Sequence, residues 1–185
     1  MNSGKSTALI QAAYNYEERG MNIVVVKPAI DTKADKAIVS RLGTSRDADI
    51  LPSHTDGLRK LLDDYYAGTP FACVLVDEAQ FLTPGQIDEL FWFAVDCDIP
   101  VMTYGLRSDF KTNGFPGSTR LLELAHELQE LKTICRCGKK AVFNGRKRDG
   151  AFISSGDQVA IDGEGAIDYE SLCASCYKKL VLRTP

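Results

Sequence analysis

Two short stretches near the start and middle of this chain carry groups suited to phosphate chemistry. Ser3-Gly4-Lys5-Ser6-Thr7 reads as the second half of the phosphate-loop pattern G-x-x-x-x-G-K-[ST]. A polyphosphate carries several negative charges and needs many short donors around it. Successive backbone N–H groups of a glycine turn at the positive end of a helix supply them. Lys5 can bridge the β- and γ-phosphates of a nucleoside triphosphate, and the Ser6 hydroxyl can ligate Mg²⁺. Met1, Asn2, Ser3, Gly4, Lys5, Ser6 and Thr7 are therefore the ATP-binding candidates of the loop. Its first glycine would precede Met1, so Met1 reads as an internal loop residue and a strand is expected in front of it.

The second stretch is "CVLVDEAQ". An aspartate at the carboxyl end of a buried strand is where a second Mg²⁺-organising group belongs, and Asp77 fits, acting through a water. Glu78 follows it. Beside a metal-bound phosphate a carboxylate can serve as general base; in isolation the same D-E pair reads as a capping or solvated acid. Downstream, Cys135-Arg-Cys137 and Cys173-Ala-Ser-Cys176 form two close cysteine pairs. Four thiolates suit a closed, structural Zn²⁺ site, and two reduced pairs or a disulfide are the alternatives. Cys73 and Cys97 read as packing residues.

The elements that must hold these groups alternate between strand and helix. Thr7 to Arg19 has apolar residues at helical spacing and ends at Gly20. "NIVVVKPA" and "FACVLVDEAQ" read as buried strands, and "IPVMTYG" as a third. Leu58 to Tyr66 and Ser118 to Leu128, with His126 inside it, read as helices. The helix after Phe81 has Thr83 as N-cap and Pro84 at its first position. Asp31 to Asp49 is polar and is expected to be an exposed connection with a helical stretch. Strands alternating with helices imply an α/β fold with a parallel sheet joined by right-handed crossovers. Beyond Leu131 the chain turns glycine-rich with short β-like runs. The expected organisation is a nucleotide-binding α/β domain over 1–131 and a small zinc-binding lid over 132–185.

The 185 residues suit one domain with an appendage, and 44% hydrophobic with 25% charged residues is an ordinary globular composition. No apolar run approaches the ~20 residues of a membrane span, and no signal peptide is visible. A net charge of −3 argues against a nucleic-acid surface. A reducing cytoplasm suits the paired cysteines.

Two function classes remain. In a P-loop ATPase with a zinc interaction module, Glu78 would activate water. In a small-molecule kinase it would deprotonate an acceptor hydroxyl, and a lid would exclude water. "MNSGKST", "VDEAQFL", "YGLRSDF", "ELKTICRCGKKA" and "YESLCASCY", in this order, resemble the thymidine kinases of the zinc-containing, tetrameric type, over nearly the whole chain. The resemblance implies a P-loop NTPase-type sheet with a zinc-binding lasso, ATP-dependent phosphorylation of thymidine, Mg²⁺ with ATP, a structural Zn²⁺ held by Cys135, Cys137, Cys173 and Cys176, and a homotetramer.

Residue by residue, it implies that Glu78 is the base for the thymidine 5′-hydroxyl and that Asp77 organises Mg²⁺ with Ser6. Ala79 and Gln80 lie in the same nucleotide-contacting stretch. Phe110 matches an aromatic packed against thymine and Phe81 a neighbour in that pocket; both also suit a core. Tyr169 matches a lasso tyrosine that closes over the nucleoside. Val159, Ala160, Ile161 and Asp162 match a strand whose backbone reads the edge of the base, and Arg41 an arginine near the donor phosphates.

Overall fold

Three short runs, Val-Val-Val, Val-Leu-Val and Val-Met-Thr, pair side by side to make the central sheet of the protein. In the computed structural model, which describes residues 3–29, 36–40, 43–158 and 166–183, the chain divides into two units. The larger comprises Gly4–Leu106 and Pro116–Leu128; the smaller is built mainly from Arg107–Phe115 and Gln129–Pro185.

In the larger unit, α1 (Lys5–Glu17) leads into β1 (Val24–Val26), followed by β2 (Ala37–Val39), β3 (Ser45–Asp47) and α2 (Leu58–Gly68). Then come β4 (Val74–Val76), a single 3₁₀ turn (Ala79–Phe81), α3 (Pro84–Cys97), β5 (Val101–Thr103) and α4 (Pro116–Leu124). β4 lies between β1 and β5, parallel to both, with Val24 opposite Val74 and Val74 opposite Val101. Alternate side chains leave the sheet on opposite faces. Val24, Val26, Val74 and Val76 pack with Leu58 and Leu62 of α2 and Ile87, Leu90 and Phe93 of α3. Val25 and Leu75 pack the other way, with Leu9 and Ala13 of α1. Because helices cover both faces, β1 and β4 are apolar and buried at every position rather than alternating. The mixed α/β fold with a helix-flanked parallel sheet is the one expected.

α3 starts as its sequence indicates. The Thr83 hydroxyl accepts from the Gln86 N–H at 3.2 Å, the Gln86 side-chain oxygen accepts from the Thr83 N–H at 3.1 Å, and Pro84 takes the first helical position.

Three expectations are corrected. The described part of Asp31 to Asp49 holds no helix: β2 and β3 form an antiparallel hairpin, with Ile38 buried and Val39 exposed. Ser40 and Thr44 close its turn through a 2.8 Å backbone bond. α4 ends at Leu124, so His126 lies beyond it, exposed, with its ring 5.1 Å from that of Phe91. Cys97, the last residue of α3, is exposed, with the Arg59 guanidinium 3.9 Å from its sulfur, whereas Cys73 is buried as a packing residue and burial pushes its thiol up to about 11.

The smaller unit contains a three-stranded antiparallel sheet and one helix: β6 (Phe143–Arg148), β7 (Ala151–Ile153), β8 (Ile167–Leu172) and α5 (Ala174–Leu180), with β6 central. Its core joins Cys135, Ala141, Leu172, Cys173, Tyr177 and Val181. Among the described residues no helix is long and apolar enough to cross a membrane.

Candidate active site

Gly4 stands at the N-terminal cap of α1 with φ +76°, a left-handed conformation that glycine adopts without the Cβ strain of other residues. No side chain caps this helix and its first turn holds no acid. The amides there are thus free of a competing carboxylate, and the helix dipole favours an anion. Lys5, Ser6 and Thr7 form that first turn and are partly buried, as is Ser3. Met1, Asn2 and Arg41 lie outside the described residues.

Asp77 directly follows β4 and is 3% exposed. Its Oδ1 is buried and has no hydrogen-bond partner among the described residues. Burial pushes the Asp77 carboxyl above its usual range and the neighbouring Glu78 adds to the rise, against the pull of the Glu78 backbone N–H and of Lys5 and Lys27. A desolvated carboxylate oxygen with a free lone pair suits a hard cation or its bound water. The residues present therefore fit Mg²⁺ at this strand end.

Glu78 is half-buried and has φ +49°, the left-handed region, at the entry to the 3₁₀ turn. Such a backbone at a non-glycine residue persists only where its surroundings hold it. Gln80 does part of that work. It is 2% exposed; its Nε2 donates to Glu78 Oε2, and its Oε1 accepts from the Leu106 N–H at 3.1 Å. Gly105 makes room for this clamp, since a Cβ there would stand 2.9 Å from Gln80 Oε1. On the far side, the Ser118 hydroxyl donates to the Leu106 carbonyl at 2.6 Å. Ala79 is fully buried and Phe81 partly so.

In the smaller unit, Phe110 is 1% exposed. Its carbonyl accepts from the Tyr177 hydroxyl at 2.6 Å, and its ring lies beneath the Arg146 guanidinium. Asp109 orders the neighbouring turn, its Oδ1 accepting from the N–H groups of Lys111 and Asn113 at 2.8 and 2.9 Å. Tyr169, on β8, accepts from Arg146 Nε at 2.9 Å. Val159, Ala160, Ile161 and Asp162 lie outside the described residues. The sequence reading missed Arg146, Tyr177 and Asp109. Of these, Asp109 and Tyr177 carried a signal, Asp109 through its place in "YGLRSDF" and Tyr177 directly after Cys176 in "YESLCASCY"; Arg146 carried none.

The sulfurs of Cys135, Cys137, Cys173 and Cys176 all lie within 4.8 Å of one another, with Cys137 and Cys173 3.6 Å apart. Four thiolates around zinc at about 2.3 Å would stand about 3.8 Å apart. A disulfide would need about 2.05 Å, and none of the four is so joined. Burial opposes ionisation of Cys135, but N–H groups of Cys137 and Cys173 and neighbouring thiols outweigh it and bring that thiol down to about 6. Cys176 moves the other way, up to about 12, led by its hydrogen bond with Cys135. The Cys176 N–H also lowers Cys173, so two of the thiols ionise more readily while Cys176 resists, and a dication bound among them would favour the thiolate form. The cluster could hold a zinc ion.

Comparison with known proteins adds one set of findings. The profile of the family described as thymidine kinase matches residues 1–177. The chain is 46% identical over 181 residues to a thymidine kinase of Ruegeria pomeroyi, covering 97% of this chain and 90% of the relative. It is 43% identical to one of Shewanella oneidensis, covering 98% and 94%. It is 42% identical to that of Enterobacteria phage T4, covering 97% and 92%.

Proposed function

The chain belongs to the thymidine kinase family, and from that premise we propose how its residues phosphorylate thymidine, with ATP as donor. The observation that carries the assignment of roles is the strand end at Asp77 and Glu78, where a buried carboxylate oxygen without a partner among the described residues adjoins a second carboxylate clamped by Gln80.

In this reading the loop from Met1 to Thr7 wraps the donor phosphates, Lys5 neutralises charge on the β- and γ-phosphates, and Ser6 and Asp77 hold Mg²⁺. Bound there, Mg²⁺ offsets the charge that develops on the phosphoryl oxygens. Glu78 accepts the proton of the thymidine 5′-hydroxyl. The 5′-oxygen then bonds to the γ-phosphorus as the bond to the bridging oxygen breaks, releasing ADP and thymidine 5′-monophosphate. Ala79 and Gln80 complete the donor side, Gln80 acting through Glu78. Phe81, Phe110 and Tyr169 serve the thymidine. Phe110 meets the base only on the side away from Arg146. The functional division follows 1–131 and 132–185, with Arg107–Phe115 grouping structurally with the second part. Homotetrameric assembly and a cytoplasmic location belong to the same reading, carried by the family resemblance. ADP release should rise with added thymidine; ADP release indifferent to thymidine would favour the ATPase instead.

Zinc at the four cysteines is part of the proposal, and its consequence is specific. Binding free energy at such a site becomes folding free energy. Tyr177 follows Cys176 and holds the Phe110 carbonyl. Cys176→Ser should therefore loosen the smaller unit, Phe110 with it, and weaken thymidine binding far more than ATP binding. Elemental analysis of the native protein should find about one zinc per chain. Absence of metal, or equal loss of both substrates in the variant, would contradict this.

A further inference from the structure

Arg146, in the middle of β6, is 2% exposed, and among the described residues no carboxylate is a hydrogen-bond partner of it. Nε donates to the Tyr169 hydroxyl at 2.9 Å, Nη1 to the Asp157 carbonyl at 2.7 Å and Nη2 to the Gln158 carbonyl at 2.8 Å. The guanidinium carbon lies 3.9 Å from the centroid of the Phe110 ring and 5.3 Å from that of Tyr169. Burying a guanidinium is costly unless its donors find partners. For stability alone, an apolar side chain of similar volume would serve as well or better. A buried cation held on three neutral acceptors needs another reason to be there.

The groups it touches supply one. Phe110 and Tyr169 are the two described residues of this unit assigned to the nucleoside, and the guanidinium contacts both. The same group fixes the backbone at Asp157 and Gln158. That segment is tied back to the Phe110 turn twice more, by Lys111 Nζ donating to the Gly156 carbonyl at 3.0 Å and by Gln158 Nε2 donating to Asp109 Oδ2 at 3.3 Å. Arg146 is the only one of these links that reaches the Phe110 ring, the Tyr169 hydroxyl and the 157–158 backbone together.

We infer that Arg146 is the positioning residue of the thymidine site: its planar fork sets the face of Phe110, the direction of the Tyr169 hydroxyl and the course of the chain at Asp157 and Gln158. This rests on the reading of Phe110 and Tyr169 as thymidine-site residues. Arg146 is 2% exposed and each of its three nitrogens donates within the protein, so its fork is directed at the unit's own groups rather than at a phosphate. Shape matters more than charge here. A lysine ammonium keeps the charge but cannot serve three separated acceptors from one plane or stack flat on a ring.

The test compares wild type with R146K, R146M and Y169F. For each, kcat and the KM of thymidine and of ATP are measured, with zinc content and thermal midpoint as controls of folding. In R146K and R146M the thymidine KM should rise roughly tenfold or more while the ATP KM stays within about twofold, because a misplaced binding surface loses affinity for its own ligand. Y169F, which removes one of the three acceptors, should show a smaller rise in the same parameter. A folded R146M with unchanged thymidine KM overturns the inference, as does a parallel rise of both KM values. R146K matching wild type overturns it too, and that arm decides the matter should R146M fail to fold. A wild-type protein that leaves thymidine unphosphorylated overturns the underlying reading as well. An active wild type with unaffected variants strikes the Arg146 role alone.

Discussion

Glu78→Gln should lower turnover by roughly 10²–10⁴ and leave the ATP KM nearly unchanged. The substitution keeps size and shape. Its amide oxygen can still accept from Gln80 Nε2, which donates to Glu78 Oε2 in the native protein, so the left-handed turn at residue 78 keeps its clamp. What disappears is the capacity to take a proton from the acceptor hydroxyl. An interaction realised only in the transition state lowers kcat and kcat/KM by the same factor, and steady-state kinetics at saturating ATP and thymidine will show whether it does. Intact turnover with lost nucleotide affinity would instead make Glu78 a metal-organising or structural residue.

Asp77→Asn should produce two effects of opposite sign. Turnover should fall by roughly 10²–10⁴, because several kcal/mol of charge stabilisation depend on the metal that Asp77 organises. The protein free of nucleotide and Mg²⁺ should at the same time become more stable at neutral pH. The carboxyl is raised above the ordinary aspartate value, about 3.8 in the unfolded chain, first by burial and then by Glu78. Below that value Asp77 is protonated in both folded and unfolded chains and contributes no difference. As pH climbs from there through the raised folded value, the unfolded chain ionises more easily, so stability is lost, and the loss persists above it. Asparagine does not titrate. The thermal midpoint of Asp77→Asn should therefore exceed that of wild type at pH 7, with the gap closing toward pH 3. A variant less stable than wild type at pH 7, without ligands, would contradict the desolvated-carboxylate account.

The groups that could be read in advance are those whose chemistry demands neighbours in sequence. Gly4, Lys5 and Ser6 must be adjacent to make a loop, Asp77 and Glu78 must follow an apolar strand, and each cysteine pair must be close to grip one ion. The parallel sheet was legible for a similar reason, since helices on both faces leave β1 and β4 uniformly apolar. The hairpin of β2 and β3 was not: three-residue strands offer too few alternations to stand out from a polar connection. Arg146 was hidden more completely. In "FNGRKRDG" it reads as one cation among several on a solvated turn. Its burial comes from Phe110, Asp157, Gln158 and Tyr169, all eleven or more positions away, and no local pattern announces such a convergence. Gln80 belongs to the same short stretch as Glu78, but the use of both ends of its amide depends on Leu106, twenty-six residues on.

The fate of a labelled γ-phosphoryl group tests the central claim most directly. ATP carrying the label is mixed with the native protein, Mg²⁺ and thymidine, the reaction is quenched with acid over a time course, and the products are separated. Transfer to a nucleoside hydroxyl predicts label in thymidine 5′-monophosphate in step with ADP, with little inorganic phosphate and almost no turnover when thymidine is left out. Label released as inorganic phosphate at a rate indifferent to thymidine would show that water is the acceptor and that Glu78 serves a hydrolase.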